Sequence, residues 1–227
     1  MAALNETVRG HIADYDEKRG EVIIRAPYSD FATMCRREYR DVEIRLIDSR
    51  PLSDRQRRCC YAMIREIADW AGDEAGEVKE YLKTDFWAAE LMDTADTMFS
   101  LSNAPMSIVA AFQRWLARFI VRNDVPCKKS LLSYVDDVDD YVYACLANKK
   151  CAICGRRADL PHVDAIGMGR DRDEIIHEGM PVLPLCREHH QEAHTMPLKD
   201  FLGKYHLNGG IPADKTICKL YRLKARA

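Results

Sequence analysis

Apolar and polar positions alternate along residues 7–15, with Val8, Gly10 and Ile12 set against Arg9, His11 and Ala13. That is the period-two pattern of a half-buried strand. Residues 16–20 read as a turn and residues 21–25 as the returning strand of a hairpin. Pro27 breaks the pattern, and Ser29 with Asp30 can cap a short helix through Tyr39. Alternation returns over residues 41–47, where Val42, Ile44 and Leu46 share one face, so the start of the chain predicts a small antiparallel sheet crossed by one helix.

The period then changes. Pro51 and Ser53 mark a helix start, and Cys60, Met63, Ile64, Ile67 and Ala71 recur at helical spacing to about residue 70. Val78, Leu82, Phe86 and Ala89 give a second core face over residues 77–90. Residues 92–103 read as irregular, with a short strand at 97–101. Pro105 then opens the most apolar helix, residues 106–121, carrying Ile108, Val109, Phe112, Trp115, Leu116 and Phe119. Lys129 and Ser130 start a helix running to about residue 146. Residues 148–150 are the natural join between two parts, 1–148 and 149–227. Beyond it, residues 198–205 form a short helix, 208–210 a turn, and Pro212 opens a terminal helix to about residue 223.

Composition narrows the class. Of 227 residues, 47% are hydrophobic and 31% charged, which supports a packed core in one large or two small domains and excludes disorder as the default. A net charge of -2 gives no global field for nucleic acid, so any such contact must come from local patches. No apolar run approaches 18 residues, and the polar start carries no signal pattern; neither a membrane nor export is expected. Nine cysteines make an odd count, and those outside the stretch described next (Cys35, Cys59, Cys60, Cys127, Cys145 and Cys218) sit mostly in apolar runs as core thiols. A reducing cytoplasm fits them better than a secreted disulfide framework.

Local charge is more telling. Arg55, Arg57, Arg58 and Arg65 gather at the head of the first long helix, where the dipole disfavours cations, and that cost points to a phosphate partner. The acids Asp136, Asp137, Asp139 and Asp140 have no His or Cys beside them and read as a solvated face. The tail residues Lys219, Arg222, Lys224 and Arg226 form a further basic patch suited to a phosphate backbone.

The chemistry concentrates between Cys151 and His194. Cys151-x2-Cys154 and Cys186-x2-His189 are two knuckles with 31 residues between them, four soft ligands in two pairs as a tetrahedral structural zinc requires. His190 and His194 are four apart, so a helix puts them on one face where they can grip one ion together. His162 stands between the knuckles. The surplus of ligands implies two jobs: one zinc to hold the module together and one metal to do chemistry.

The order Cys-x2-Cys, a lone His before a Gly-rich turn, then Leu185-Cys-Arg-Glu-His-His190-x3-His194 resembles the HNH (ββα-metal) nucleases. Gly167-Met-Gly-Arg-Asp-Arg172 brings the match closer to the phage HNHc nuclease group. The resemblance implies a β-hairpin followed by a helix, His162 as general base, and His190 and His194 as ligands of a catalytic divalent ion such as Mg²⁺ or Mn²⁺. It leaves Cys151, Cys154, Cys186 and His189 for the separate structural zinc, and Arg170 and Arg172 to position a DNA strand. Two positions depart from the family pattern. Pro161 stands where many members carry a His or Asp ligand, and the central Asn of the family would fall near Pro181. Asp164 or His177 could complete the catalytic ion's shell.

Earlier in the chain, Arg50-x-Leu-Ser-Asp-x-Gln-Arg57 and Gly76-Glu-Val-Lys-Glu-Tyr-Leu-Lys83 with Phe86 and Trp87 resemble the NinB (Orf) family of phage recombination mediators. That likeness implies DNA binding with a preference for single strands and contact with single-strand binding protein; branched DNA and a homodimer are further expectations. The resulting expectation is an α+β protein: a NinB-like domain over residues 1–148 for DNA or partner binding, then a zinc-stabilised ββα-metal (HNH) module over residues 149–227. Its expected activity is metal-dependent DNA endonuclease of phage or prophage origin, acting in recombination or replication. The other class is a catalytically silent zinc-containing mediator, which Pro161 and Pro181 favour.

Overall fold

The computed structural model describes residues 8–92, 98–159 and 176–226. The chain divides into two compact units, Met1–Leu46 and Ile47–Ala227. The join expected at residues 148–150 falls within the second.

In the first unit, strands β1 (His11–Asp16) and β2 (Glu21–Arg25) pair antiparallel around Gly20, which takes a positive φ of 68° at the turn. Helix α1 (Phe31–Arg37) follows, capped by the Asp30 carboxylate, which accepts from the Thr33 amide at 3.0 Å. The expected third strand does not form: residues 41–50 take no regular structure, and the first sheet has two strands. Alternation supplies a face but no hydrogen-bonding neighbour, and a strand exists only with one. The half-buried character expected of β1 is also absent, since every one of its residues is exposed.

The second unit opens with helix α2 (Asp54–Ala71). Ser53 and Gln56 close a capping box, the Ser53 hydroxyl accepting from the Gln56 amide and the Gln56 side chain accepting from the Ser53 amide, each at 3.1 Å. Gly72 stops the helix at a φ of 77°. Helix α3 (Ala75–Phe86) continues as a π-helical turn, Trp87–Leu91. Helix α4 (Met106–Arg122) packs on both α2 and α3. Their shared core is aromatic: Phe112 lies 5.2 Å from Phe86 and 5.1 Å from Phe99, in tilted and edge-on contacts that the ring quadrupoles favour. Trp115 stacks on Phe119 at 5.8 Å, in keeping with a core role.

The helix expected from Lys129 is interrupted. A 3-10 turn (Leu131–Ser133) comes first, and helix α5 (Val138–Ala147) starts only where the Asp137 carboxylate accepts from the Asp140 amide at 3.0 Å. The interruption is anchored because buried Gln113 donates to the Tyr134 carbonyl. The acids around this break are paired with arginines: Asp136 with Arg55, Asp137 with Arg114 and Asp140 with Arg118.

Strand β3 (Pro181–Val182) pairs antiparallel with β4 (Ile211–Pro212), so Pro212 belongs to a strand and not to a helix start. Helices α6 (Arg187–Thr195) and α7 (Leu198–Tyr205) lie between them. Helix α8 (Lys215–Tyr221) starts at the Asp214 cap, whose carboxylate accepts from the Ile217 amide at 2.7 Å. One continuous core runs from α2 through Leu146, Cys151, Val182 and Phe201 to Ile217. The described residues therefore make an α+β protein of helices and two small antiparallel sheets. No helix among them is long and apolar enough to cross a membrane.

Candidate metal centre

Residues 150–157 fold back on themselves as a tight knuckle. Lys150 and Arg157 bridge antiparallel, the Cys151 amide donates to the Arg156 carbonyl at 2.7 Å, and the Gly155 amide donates to the Cys151 carbonyl at 2.9 Å. Gly155 sits at a φ of 70°, which a residue with a Cβ adopts only at a cost. The helical half holds this knuckle by its carbonyls. Tyr141 Oη donates to the Ala152 carbonyl at 2.9 Å, and Ser130 Oγ donates to that of Ile153 at 3.2 Å. The second pair comes from a helix start: Cys186 caps α6, and its carbonyl accepts from the His190 amide at 2.8 Å. Cys186 and His189 are thereby turned to the same side of the first helical turn.

The two knuckles meet. The ligand atoms of Cys151, Cys154, Cys186 and His189 all lie within 4.8 Å of one another. Cys154 Sγ is 3.7 Å from Cys186 Sγ, while His189 Nδ1 is 3.5 Å from Cys151 Sγ and 3.2 Å from Cys186 Sγ. Ligand bonds of about 2.3 Å to sulfur and about 2.1 Å to nitrogen at tetrahedral angles give edges of roughly 3.7 Å between sulfurs and 3.5 Å from sulfur to nitrogen. These three separations are close to those edges, and the Cys154 and Cys186 sulfurs are too far apart for a disulfide. A Cys3His cluster of this size can hold a metal ion such as zinc.

Its electrostatics point the same way. Burial pushes the Cys151 thiol up to about 12, an environment in which a thiolate needs a cation at contact distance. Burial opposes ionisation of Cys154 too, yet its thiol stays below the usual value because the Arg156 side chain and amide donate to it. Burial also lowers the His189 pKa, which favours the neutral imidazole that ligation needs. By contrast, Cys60 and Cys145 are pushed up to about 12 with no such company and are inert core thiols. Cys59 and Cys218 are buried as well, whereas Cys35 is exposed, contrary to its expected place in the core.

Arg156 is the residue that spacing could not flag. Its Nε lies 3.4 Å from Cys154 Sγ and one of its terminal nitrogens 3.9 Å from Cys186 Sγ, while Glu188 holds the guanidinium in a two-point ion pair. Three thiolates and one imidazole around a Zn²⁺ ion would carry a net charge of -1, which this guanidinium would offset. Outer partners of this kind are commonly worth about 10- to 100-fold in metal affinity. Arg156→Ala is accordingly expected to lose zinc to a chelating dye at a lower dye concentration by about that factor. Affinity equal to the parent protein would reduce Arg156 to a surface ion pair.

The second ligand pair stands on the exposed side of α6. His190 Nε2 and His194 Nε2 are 3.0 Å apart, with ring centroids at 4.8 Å. Two nitrogens about 2.1 Å from one ion at a right angle stand about 3.0 Å apart, so the pair fits two adjacent corners of an octahedral ion. An N–H···N hydrogen bond between the rings has the same length. Burial, then the neighbouring His194, lowers the His190 pKa and favours the neutral form that ligation needs. Among the described residues, no third carboxylate, thiol or imidazole joins the pair to complete a metal-binding group. His177 donates its backbone N–H to the Lys224 carbonyl at 2.8 Å. His162, Pro161, Asp164, Arg170 and Arg172 lie outside the described residues.

The arginines at the head of α2 divide. Arg55 pairs with Asp136 and Arg57 with Asp54, whereas Arg58 donates to the Asp54 backbone carbonyl at 3.3 Å.

An α+β chain with a Cys3His cluster able to hold a metal ion at a helix start is thus defined. The family described as "Putative HNHc nuclease" matches residues 32–224, most of the chain, and the protein belongs to that family. No curated protein and no solved structure matches it.

Proposed function

We propose that this protein is a metal-dependent endonuclease that hydrolyses DNA phosphodiester bonds, with residues 149–227 carrying the chemistry. The observation that carries the reading is the meeting of the Cys3His cluster with the His190–His194 pair on one short helix, in a chain of a nuclease family. The first set is closed by four protein ligands, as a structural zinc is; the second leaves positions for water and phosphate oxygen, as a catalytic ion requires. The antiparallel bridge between Asp159 and Leu185 immediately before α6 is consistent with the ββα arrangement.

In this reading His162 accepts a proton from water, the oxygen attacks the scissile phosphorus in line, and the bond to the leaving oxygen breaks as that oxygen gains a proton. His190 and His194 would hold a divalent ion, which would supply stabilisation of the charge that develops on the phosphate oxygens. His190 and His194 fix the position of that charge relative to the base. Arg170 and Arg172 hold neighbouring phosphates and set the strand's register. Phosphate contact by Arg57 and Arg58 would add affinity without sequence preference. The test is cleavage of supercoiled DNA with Mg²⁺, Mn²⁺ or Ni²⁺, beside a His162→Ala control; activity that survives the control removes His162 from the mechanism.

A further inference from the structure

Helix α2 turns one face to solvent that the metal centre does not use. Arg57, Arg58, Tyr61, Ala62 and Arg65 line a shallow depression of about 330 Å³. Tyr61 is 44% exposed although its ring is apolar, and Arg58 and Arg65 are exposed on either side of it. The only carboxylate bonded to this group among the described residues is Asp54, which pairs with Arg57. Asp69, further along the helix, is taken by Lys128. Three guanidiniums against one carboxylate leave an excess of positive charge around a bare aromatic ring, on a chain whose formal net charge is -2.

We propose that this face is a seat for an unpaired nucleic-acid strand, with one base stacked on Tyr61 and flanking phosphates held by Arg58 and Arg65. The inference rests on the reading of the chain as acting on nucleic acid, and names the form of the substrate. Arg58 and Arg65 are seven residues apart, about 10.5 Å along the helix, with Tyr61 between them on the same face. A guanidinium therefore falls on each side of a base seated between them. Cationic grooves with an aromatic platform bind single strands because every base has a π-face, whereas the bases of a duplex are already stacked on one another.

The same helix is tied to the metal centre. On its buried side, Glu66 accepts from the Lys128 amide at 3.2 Å and the Tyr134 hydroxyl at 3.4 Å, and the loop so held donates Ser130 Oγ to the Cys knuckle. A strand bound on α2 is thus fixed to the unit that carries the ligands.

The experiment is fluorescence anisotropy of a labelled oligothymidine and of a random-sequence duplex with the zinc-loaded full chain, without added divalent ion. Tyr61→Ala is expected to weaken single-strand binding by about 5- to 100-fold while duplex binding stays within about twofold, and Tyr61→Phe to bind like the parent. Replacing Arg58 and Arg65 with Gln should lower the slope of log affinity against log salt by about 1.4 for the single strand. Equal losses for strand and duplex in Tyr61→Ala, an unchanged salt slope, or displacement by polyglutamate as readily as by oligothymidine would each overturn the proposal. Cleavage of plasmid by the Tyr61→Ala protein keeps the two readings separate. Nicking with no Tyr61-dependent binding sinks the seat alone, and Tyr61-dependent binding without nicking in the parent sinks the nuclease alone.

Discussion

A His162→Ala protein is expected to cut DNA about 10²- to 10⁴-fold more slowly than the parent, with zinc content, thermal unfolding and DNA affinity unchanged. The size follows from the role. Without a positioned acceptor the proton of the attacking water must leave to solvent, and the barrier rises by the whole benefit of general-base catalysis. The four cluster ligands are Cys151, Cys154, Cys186 and His189, and with the proposed base separate from them the Cys3His set is expected to stay intact in the variant. On the proposed assignment the companion His190→Ala would lose one of two protein ligands to a catalytic ion, and there excess Mn²⁺ is expected to restore part of the activity, because water can fill the open corner of a labile ion. Quantified plasmid nicking separates the two: metal rescues His190→Ala and does nothing for His162→Ala. Rescue of both, or of neither, would contradict the division between base and ligand.

Cys186→Ala is expected to abolish zinc binding and to strip most of the stability from residues 149–226. Structural zinc in small modules contributes on the order of 10 kcal/mol, comparable with the whole stability of a domain. Cys186 and Cys151 are also part of the continuous core, at 6% and 0% exposure, so losing the ion loosens the packing under α6 as well as the knuckle itself. A loss of even about 4 kcal/mol lowers the melting temperature of a domain this size by about 8–16 °C. Cys218→Ala is the control for cavity formation, since Cys218 is as buried as Cys151 but stands outside the cluster. Zinc per chain by elemental analysis, the two melting curves, and amide exchange mapped along the chain give the readout. Exchange should rise most over residues 149–159 and 181–226 and less in α2 and α4. A Cys186→Ala curve no lower than that of Cys218→Ala would remove the ion from the fold.

The helices that the sequence shows clearly are those whose apolar period and terminal signals agree. Pro51 and Ser53 mark the start of α2, and the apolar face read from Cys60 to Ala71 lies on the helix that packs on α4. What was not legible depended on distant partners. Residues 41–47 alternate as a strand does, yet they join no sheet among the described residues, and alternation by itself cannot reveal that. The break before α5 is set by Gln113, twenty-one residues earlier, which holds the Tyr134 carbonyl, and by Asp137 recapping the helix. Pro212 looked like a helix start because proline suits that position, but its pairing with Pro181 claims it for a sheet. At the site, ligand spacing alone announced the four-residue cluster, because metal geometry imposes the spacing. Arg156 and Tyr141, which hold the charge and the backbone of the knuckle, follow no such rule and emerge only from the folded chain.

The central claim is that this chain cuts DNA with a divalent ion while a separate zinc maintains the fold. The most direct measurement is a time course of supercoiled plasmid with protein of known zinc content, with and without added Mg²⁺, Mn²⁺ or Ni²⁺. The account predicts about one zinc per chain, no nicking without the added ion, and conversion to nicked and linear DNA with at least one of the three. Zinc-loaded protein that leaves the plasmid supercoiled in all three ions would contradict it.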